Sequence, residues 1–176
     1  MKKFAIFTLL LTLIISPRIL AGRYNLSAAQ QAEQSGEYAR AAANYQLAAQ
    51  RLFGREALWN KSARAHLLLG EQEEAVSAYW QAKSAGVLSA FGYDTLGQYQ
   101  WEQGNHDDAY SHWQAGAEKY PEYLTFQIRF ATYYRAKGDY HAEREALSRW
   151  VESQEEGQVD ATSYYRLGLL LMLDEP

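Results

Sequence analysis

The sequence predicts an all-α protein built as a stacked array of helix–turn–helix units. Three observations carry this reading. Gly36, Gly70, Gly104 and Gly138 stand 34 residues apart, and a fixed period of about 20–50 residues marks a repeat array. Their neighbours keep the same offsets: small at Ala41, Ala75 and Ala109, aromatic at Tyr45, Tyr79 and Trp113, small again at Ala48, Ala82 and Gly116. Proline, which breaks helices, is scarce, with only Pro121 and Pro176 beyond residue 21.

The first element is residues 1–21. Lys2 and Lys3 give a positive start, residues 4–15 are apolar except for Thr8 and Thr12, and Ser16-Pro17 interrupts the run. Ala21 then offers a small residue for cleavage. This three-part plan predicts a secretory signal peptide and a periplasmic or secreted protein, with Gly22 as the mature N-terminus. The apolar core falls short of the roughly 20 residues of a membrane span. An uncleaved inner-membrane anchor is the competing reading. The sequence has no cysteine, which excludes an anchor built on a lipid-modified one.

The 34-residue frame then predicts units at 22–55, 56–89, 90–123 and 124–160. Ala29, Ala63, Gly97 and Ala131 each lie seven residues before the repeat glycine. They are small where a first helix must approach its partner. Each repeat glycine suits a left-handed turn that ends a helix. Glu37, Glu71, Asp107 and Asp108 place negative charge at the start of the second helices, against the positive end of the helix dipole. The aromatic residues recur as knobs that fill the space between units.

The fourth unit departs from the pattern. Its small position falls on Glu143 and its aromatic position on Leu147. A three-residue insertion repairs this, giving those places to Ala146 and Trp150 and extending the frame to Tyr164, Leu167 and Gly168. A final unpaired helix is then expected at 161–173. It carries Leu167, Leu169, Leu170, Leu171, Met172 and Leu173, whereas a terminal repeat ordinarily turns a polar face to water. Further chain, a partner or a second copy would cover it.

The aromatic residues Trp59 and Tyr93, the pair Leu96-Gly97, the glycine–small–aromatic–small series and Pro121 together resemble the tetratricopeptide repeat, over roughly residues 22–176. The resemblance implies antiparallel helix pairs wound into a right-handed superhelix, a TPR-like α-solenoid of about four repeats plus a C-terminal helix. It also implies a concave groove lined by the first helices. Carried onto this sequence, the groove positions are Gln30, Asn60, Lys61, Arg64, Asp94, Gln98, Trp101, Arg129, Thr132 and Arg135. Only fragments of the family's carboxylate clamp, Asn60 and Arg64, are present. Arginine forks hold carboxylates bidentately, and Trp101 would add flat area.

Composition sets limits on partners. The formal charge is −4, and loss of Lys2, Lys3 and Arg18 leaves 14 basic against 21 acidic residues, a charge of −7. Nucleic acid is a poor partner for such a chain, and a membrane enters only through an uncleaved N-terminal segment. No linker interrupts residues 22–176, so one domain is expected. Asp108 and His112 share a helix face, but two ligands do not close a metal site. His106 and His112 therefore read as ordinary exposed imidazoles. No phosphate loop, nucleophile elbow or two-histidine zinc helix appears, so no cofactor or metal is expected. The leading expectation is an exported, non-enzymatic scaffold that binds a protein or peptide segment in its groove, in cell-envelope assembly or maintenance. The alternatives are a self-associating module paired through the final helix, or the helical part of a larger envelope enzyme.

Overall fold

The computed structural model describes residues 2–154 and 161–173, with side chains for 17–154 and 161–172. These residues form α1 (Lys2–Gln34), α2 (Tyr38–Arg51), α3 (Leu58–Leu68), α4 (Gln72–Ser84), α5 (Ala90–Glu102), α6 (His106–Lys119), α7 (Thr125–Lys137), α8 (Tyr140–Glu152) and α9 (Ala161–Leu173). No strand occurs among them. The chain divides into two compact units, Met1–Ser89 and Ala90–Pro176. In an array each helix packs on its sequence neighbours, so cohesion is local. The division falls where the 34-residue frame separates its second and third repeats.

The same turn closes all four first helices. Gly36, Gly70, Gly104 and Gly138 have φ of +73°, +76°, +80° and +73°, a region that Cβ disfavours. After α1, the Gly36 amide donates to the Glu33 carbonyl and the Glu37 amide to the Ala32 carbonyl. Equivalent pairs follow α3, α5 and α7: Gly70 to Leu67 with Glu71 to His66, Gly104 to Trp101 with Asn105 to Gln100, and Gly138 to Arg135 with Asp139 to Tyr134. Both bonds satisfy carbonyls that a helix end would otherwise leave unpaired. The identical turns start α2, α4, α6 and α8 at Tyr38, Gln72, His106 and Tyr140, each 34 residues after the last.

The cores are built from small residues and knobs. Ala41, Tyr45, Ala75, Tyr79 and Ala109 are fully buried and Trp113 is 1% exposed. Gly97 shows why its position must be small: a Cβ there would overlap the Trp113 indole. The indole nitrogen donates to the Asp94 carbonyl at 3.3 Å. Gly116 makes the same allowance for the ring of Phe126.

Helix α1 runs through Pro17. A proline inside a helix costs about 3 kcal/mol, and contacts just beyond it oppose that cost. Arg18 Nη2 donates to the Gln50 carbonyl at 2.5 Å, and its guanidinium lies 5.4 Å from the Phe53 ring centre. Gly22 is packed so closely that a Cβ would meet Leu52 Cδ2 at 2.7 Å.

One expectation is corrected, in the fourth pair. The three-residue insertion is not in α8, because Tyr140 starts the helix on the 34-residue frame and Glu143 and Leu147 are both fully buried. They occupy the small and knob positions themselves. Glu143 is tolerated there because two arginines hold it: Arg135 Nε at 2.6 Å, and Arg166 of α9 at 2.8 and 2.5 Å. Residues 155–160, which the insertion would also involve, lie outside the described residues. Helix α9 packs Leu167 and Leu170 against Ala131, Ala146 and Leu147, while Tyr165 is 70% and Met172 71% exposed.

Candidate functional site

The groove positions expected from the sequence sort into the two units. In the first, Glu33, Lys61 and Arg64 gather on the exposed sides of α1 and α3. Lys61 Nζ lies 3.2 Å from Glu33 Oε2, and the buried Tyr45 hydroxyl donates to the same carboxylate. The Tyr45 bond, opposed by burial and aided by Lys61 and Arg64, holds the Glu33 carboxyl below its ordinary value. Burial and Glu33 together push the Tyr45 hydroxyl up. Asn60 is engaged elsewhere: its Nδ2 donates to the Val87 carbonyl at 2.8 Å and its Oδ1 accepts from the Ser89 amide at 3.0 Å. It clasps the segment that follows α4.

In the second unit, Asp94 is buried and takes a fork from Arg129, Nε at 2.7 Å and Nη2 at 3.1 Å. The Gln98 amide, oriented to satisfy both groups, also accepts from this guanidinium. Thr132 is exposed and returns its hydroxyl to the Ile128 carbonyl at 2.9 Å. Arg135 holds Glu143, whose carboxyl burial pushes up while Arg166 and Arg135 more than offset it, leaving it below its usual range. Trp101 does not offer the open plane expected of it. Its ring stacks on His106 with centroids 4.0 Å apart and leans on Trp113 at 5.7 Å. His112, expected to be exposed, is 6% exposed. Most of these polar side chains are thus spent on bonds within the fold.

A different surface lies on the other side of α3. A cleft of about 580 Å³ lies among α2, α3 and α4, lined by Gln46, Gln50, Trp59, His66, Glu73, Glu74, Ser77, Ala78 and Gln81. A second, of about 380 Å³, lies among α6, α7 and α8. Eight of the nine positions lining the first recur 68 residues later in the second, as Gln114, Glu118, Gln127, Tyr134, Ala142, Glu145, Ala146 and Arg149. The clefts therefore occupy equivalent places, one between the first and second repeats and one between the third and fourth. Sequence reasoning missed them because most of these positions belong to no motif, and Trp59, which does, was read only as part of the repeat signature. The signal available was the period alone.

Known structures share this arrangement of helices. A crystal structure of MamA matches with a TM-score of 0.70 over 86% of this chain and 81% of that one, at 14% identity. A structure of YrrB, described as "a TPR protein with an unusual peptide-binding site", matches at 0.66 over 85% of this chain and 75% of that one, at 17% identity. This is the tetratricopeptide-repeat fold. The C-terminal part of a TPR repeat-containing protein from Cytophaga hutchinsonii matches at 0.59, with 16% identity over 86% of this chain and 57% of that one. No family model and no curated protein matches the sequence. At these identities the likeness is one of fold. What the tetratricopeptide-repeat surface of this chain binds has to be argued from its own residues.

Proposed function

We propose that this chain is a non-enzymatic scaffold, exported to the cell envelope, that binds an extended or helical segment of a partner protein. Binding would use the exposed first-helix residues of the repeats, in assembly or maintenance of the envelope. The observation that carries the reading is the exposed first-helix residue Arg64 on α3. It is joined by the likeness in fold to a protein described as having a peptide-binding site. Asn60, Asp94, Gln98, Trp101 and Arg129 would support that surface by fixing its shape, and Thr132 would contribute an exposed edge. Export rests on the plan of residues 1–21. Among the described residues, no helix is long and apolar enough to cross a membrane.

Crosslinking in the native cell, with a photoreactive group at position 61, tests the reading. It predicts discrete protein adducts that are lost when Arg64→Glu is introduced. Adducts unchanged by Arg64→Glu would sink the assignment. Fractionation tests export: the chain should leave the cytoplasm, shortened by about 21 residues if the leader is cut.

A second reading is favoured by α9, where Tyr164, Tyr165, Leu171 and Met172 are exposed beside the docked Leu170. Pairing with a second copy through this face would bury them. Sedimentation equilibrium decides: a monomer at tens of micromolar contradicts it.

A further inference from the structure

We propose that the cleft among α2, α3 and α4 is a separate binding site for an extended peptide segment carrying an arginine or lysine side chain. Its volume of about 580 Å³ lies in the range of ligand pockets, roughly 300–1,000 Å³. Its walls are chemically uncommitted. Among the described residues, the side chains of Gln46, Gln50, Trp59, Glu73, Glu74 and Gln81 make no hydrogen bond, ion pair or ring contact. This sets them apart from the first-helix residues, where Asp94, Arg129, Arg135 and Asn60 are all engaged.

The charge of the cleft selects the occupant. Glu73 and Glu74 contribute two carboxylates, and among the described residues no lysine or arginine lines the walls. The imidazole there, His66, is bonded to Glu71 at 2.7 Å. Trp59 supplies a half-buried indole, the best of the aromatic faces for a cation. The three glutamine amides both donate and accept, which suits the alternating N–H and C=O groups of an extended backbone. Acids in the first turn of α4 also complement its dipole, but that does not account for the unpartnered amides and indole on α2, α3 and the far half of α4. The acidic balance of the whole chain would draw a basic segment in.

The cleft is distinct from the first-helix surface. On α3, Trp59 and His66 are seven residues apart and share a face. Asn60 and Arg64 lie roughly 100° or more around the same helix. The two sites can therefore be tested independently.

Fluorescence anisotropy of the full chain provides the test, using a labelled hexapeptide with two arginines among serines and glycines, and a matched peptide with two glutamates. The expected result is saturable binding of the basic probe alone, weakened by salt. Glu73→Gln/Glu74→Gln and Trp59→Ala should each weaken it about tenfold with unchanged far-UV circular dichroism, and Arg64→Glu should leave it intact. Absence of saturable basic binding up to about 1 mM, equal affinity for the acidic probe, or wild-type affinity in the Glu73→Gln/Glu74→Gln variant would each overturn the proposal.

Discussion

In Met1–Ser89 the cleft is walled by glutamines, a tryptophan and the carboxylates of Glu73 and Glu74. In Ala90–Pro176 the matching cleft is more aromatic, with Tyr110, Phe130 and Tyr134. There the positions of Ser77 and Gln81 are taken by Glu145 and Arg149, which pair at 3.6 Å. Gln114 likewise donates to Glu118 at 3.4 Å, and the Tyr110 and Tyr134 hydroxyls bond at 2.9 Å. Burial and that bond push Tyr134 up to about 12. The period determines where space opens between successive second helices. Residue chemistry then decides whether the space is closed by the protein itself or left for something else.

The core repeats the lesson. Ala41 and Ala75 in the first unit become Ala109 and then Glu143 in the second, all fully buried. Removing one partner of a buried ion pair typically costs about 3–5 kcal/mol. Arg166→Ala should therefore be the most damaging single change, read by denaturant unfolding. Hydrogen exchange should rise in α8 and α9 and stay unchanged in α1–α4. A uniform rise would break the distinction between the units.

Next in size is Gly97→Ala, which drives a methyl into the Trp113 indole and should cost about 1–3 kcal/mol in thermal unfolding. A loss within about 0.5 kcal/mol, the size of a neutral surface change, would contradict the close packing. Gly36→Ala and Gly138→Ala should each cost about 1–2 kcal/mol, one in each unit, because both turns have φ of +73°. Unequal losses would mean that the shared turn does not act alike in the two halves.

Acid should also loosen α9. The folded-state carboxyl of Glu143 sits below its ordinary value. Its contribution is present above the unfolded value and is lost as pH falls through the folded one. Amide protection of α9 should decline as pH drops below the usual glutamate range, and Glu143→Gln should flatten that decline. The same decline in the Glu143→Gln variant would rule Glu143 out as its cause.

Much of the fold was legible because backbone necessity repeats: four glycines in left-handed turns, small residues under large knobs. The fourth repeat was misread because Glu143 looks like a misfit until Arg166, 23 residues later, is brought to 2.5 Å from it. Pattern matching favours a shift of register over a buried charge, and α8 keeps the register and buries the charge. The first-helix residues could be placed by the period, but sequence alone could not pair Asp94 with Arg129 or stack Trp101 on His106. The cleft was illegible because it is made of spaces between helices, which no single residue of the pattern announces.

Hydrogen–deuterium exchange of the full chain, with and without the basic hexapeptide, tests the contrast between the two clefts most directly. Protection confined to α2, α3 and α4, with α6, α7 and α8 unchanged, is the predicted result. Equal protection in both units, or protection only in α6–α8, would contradict it.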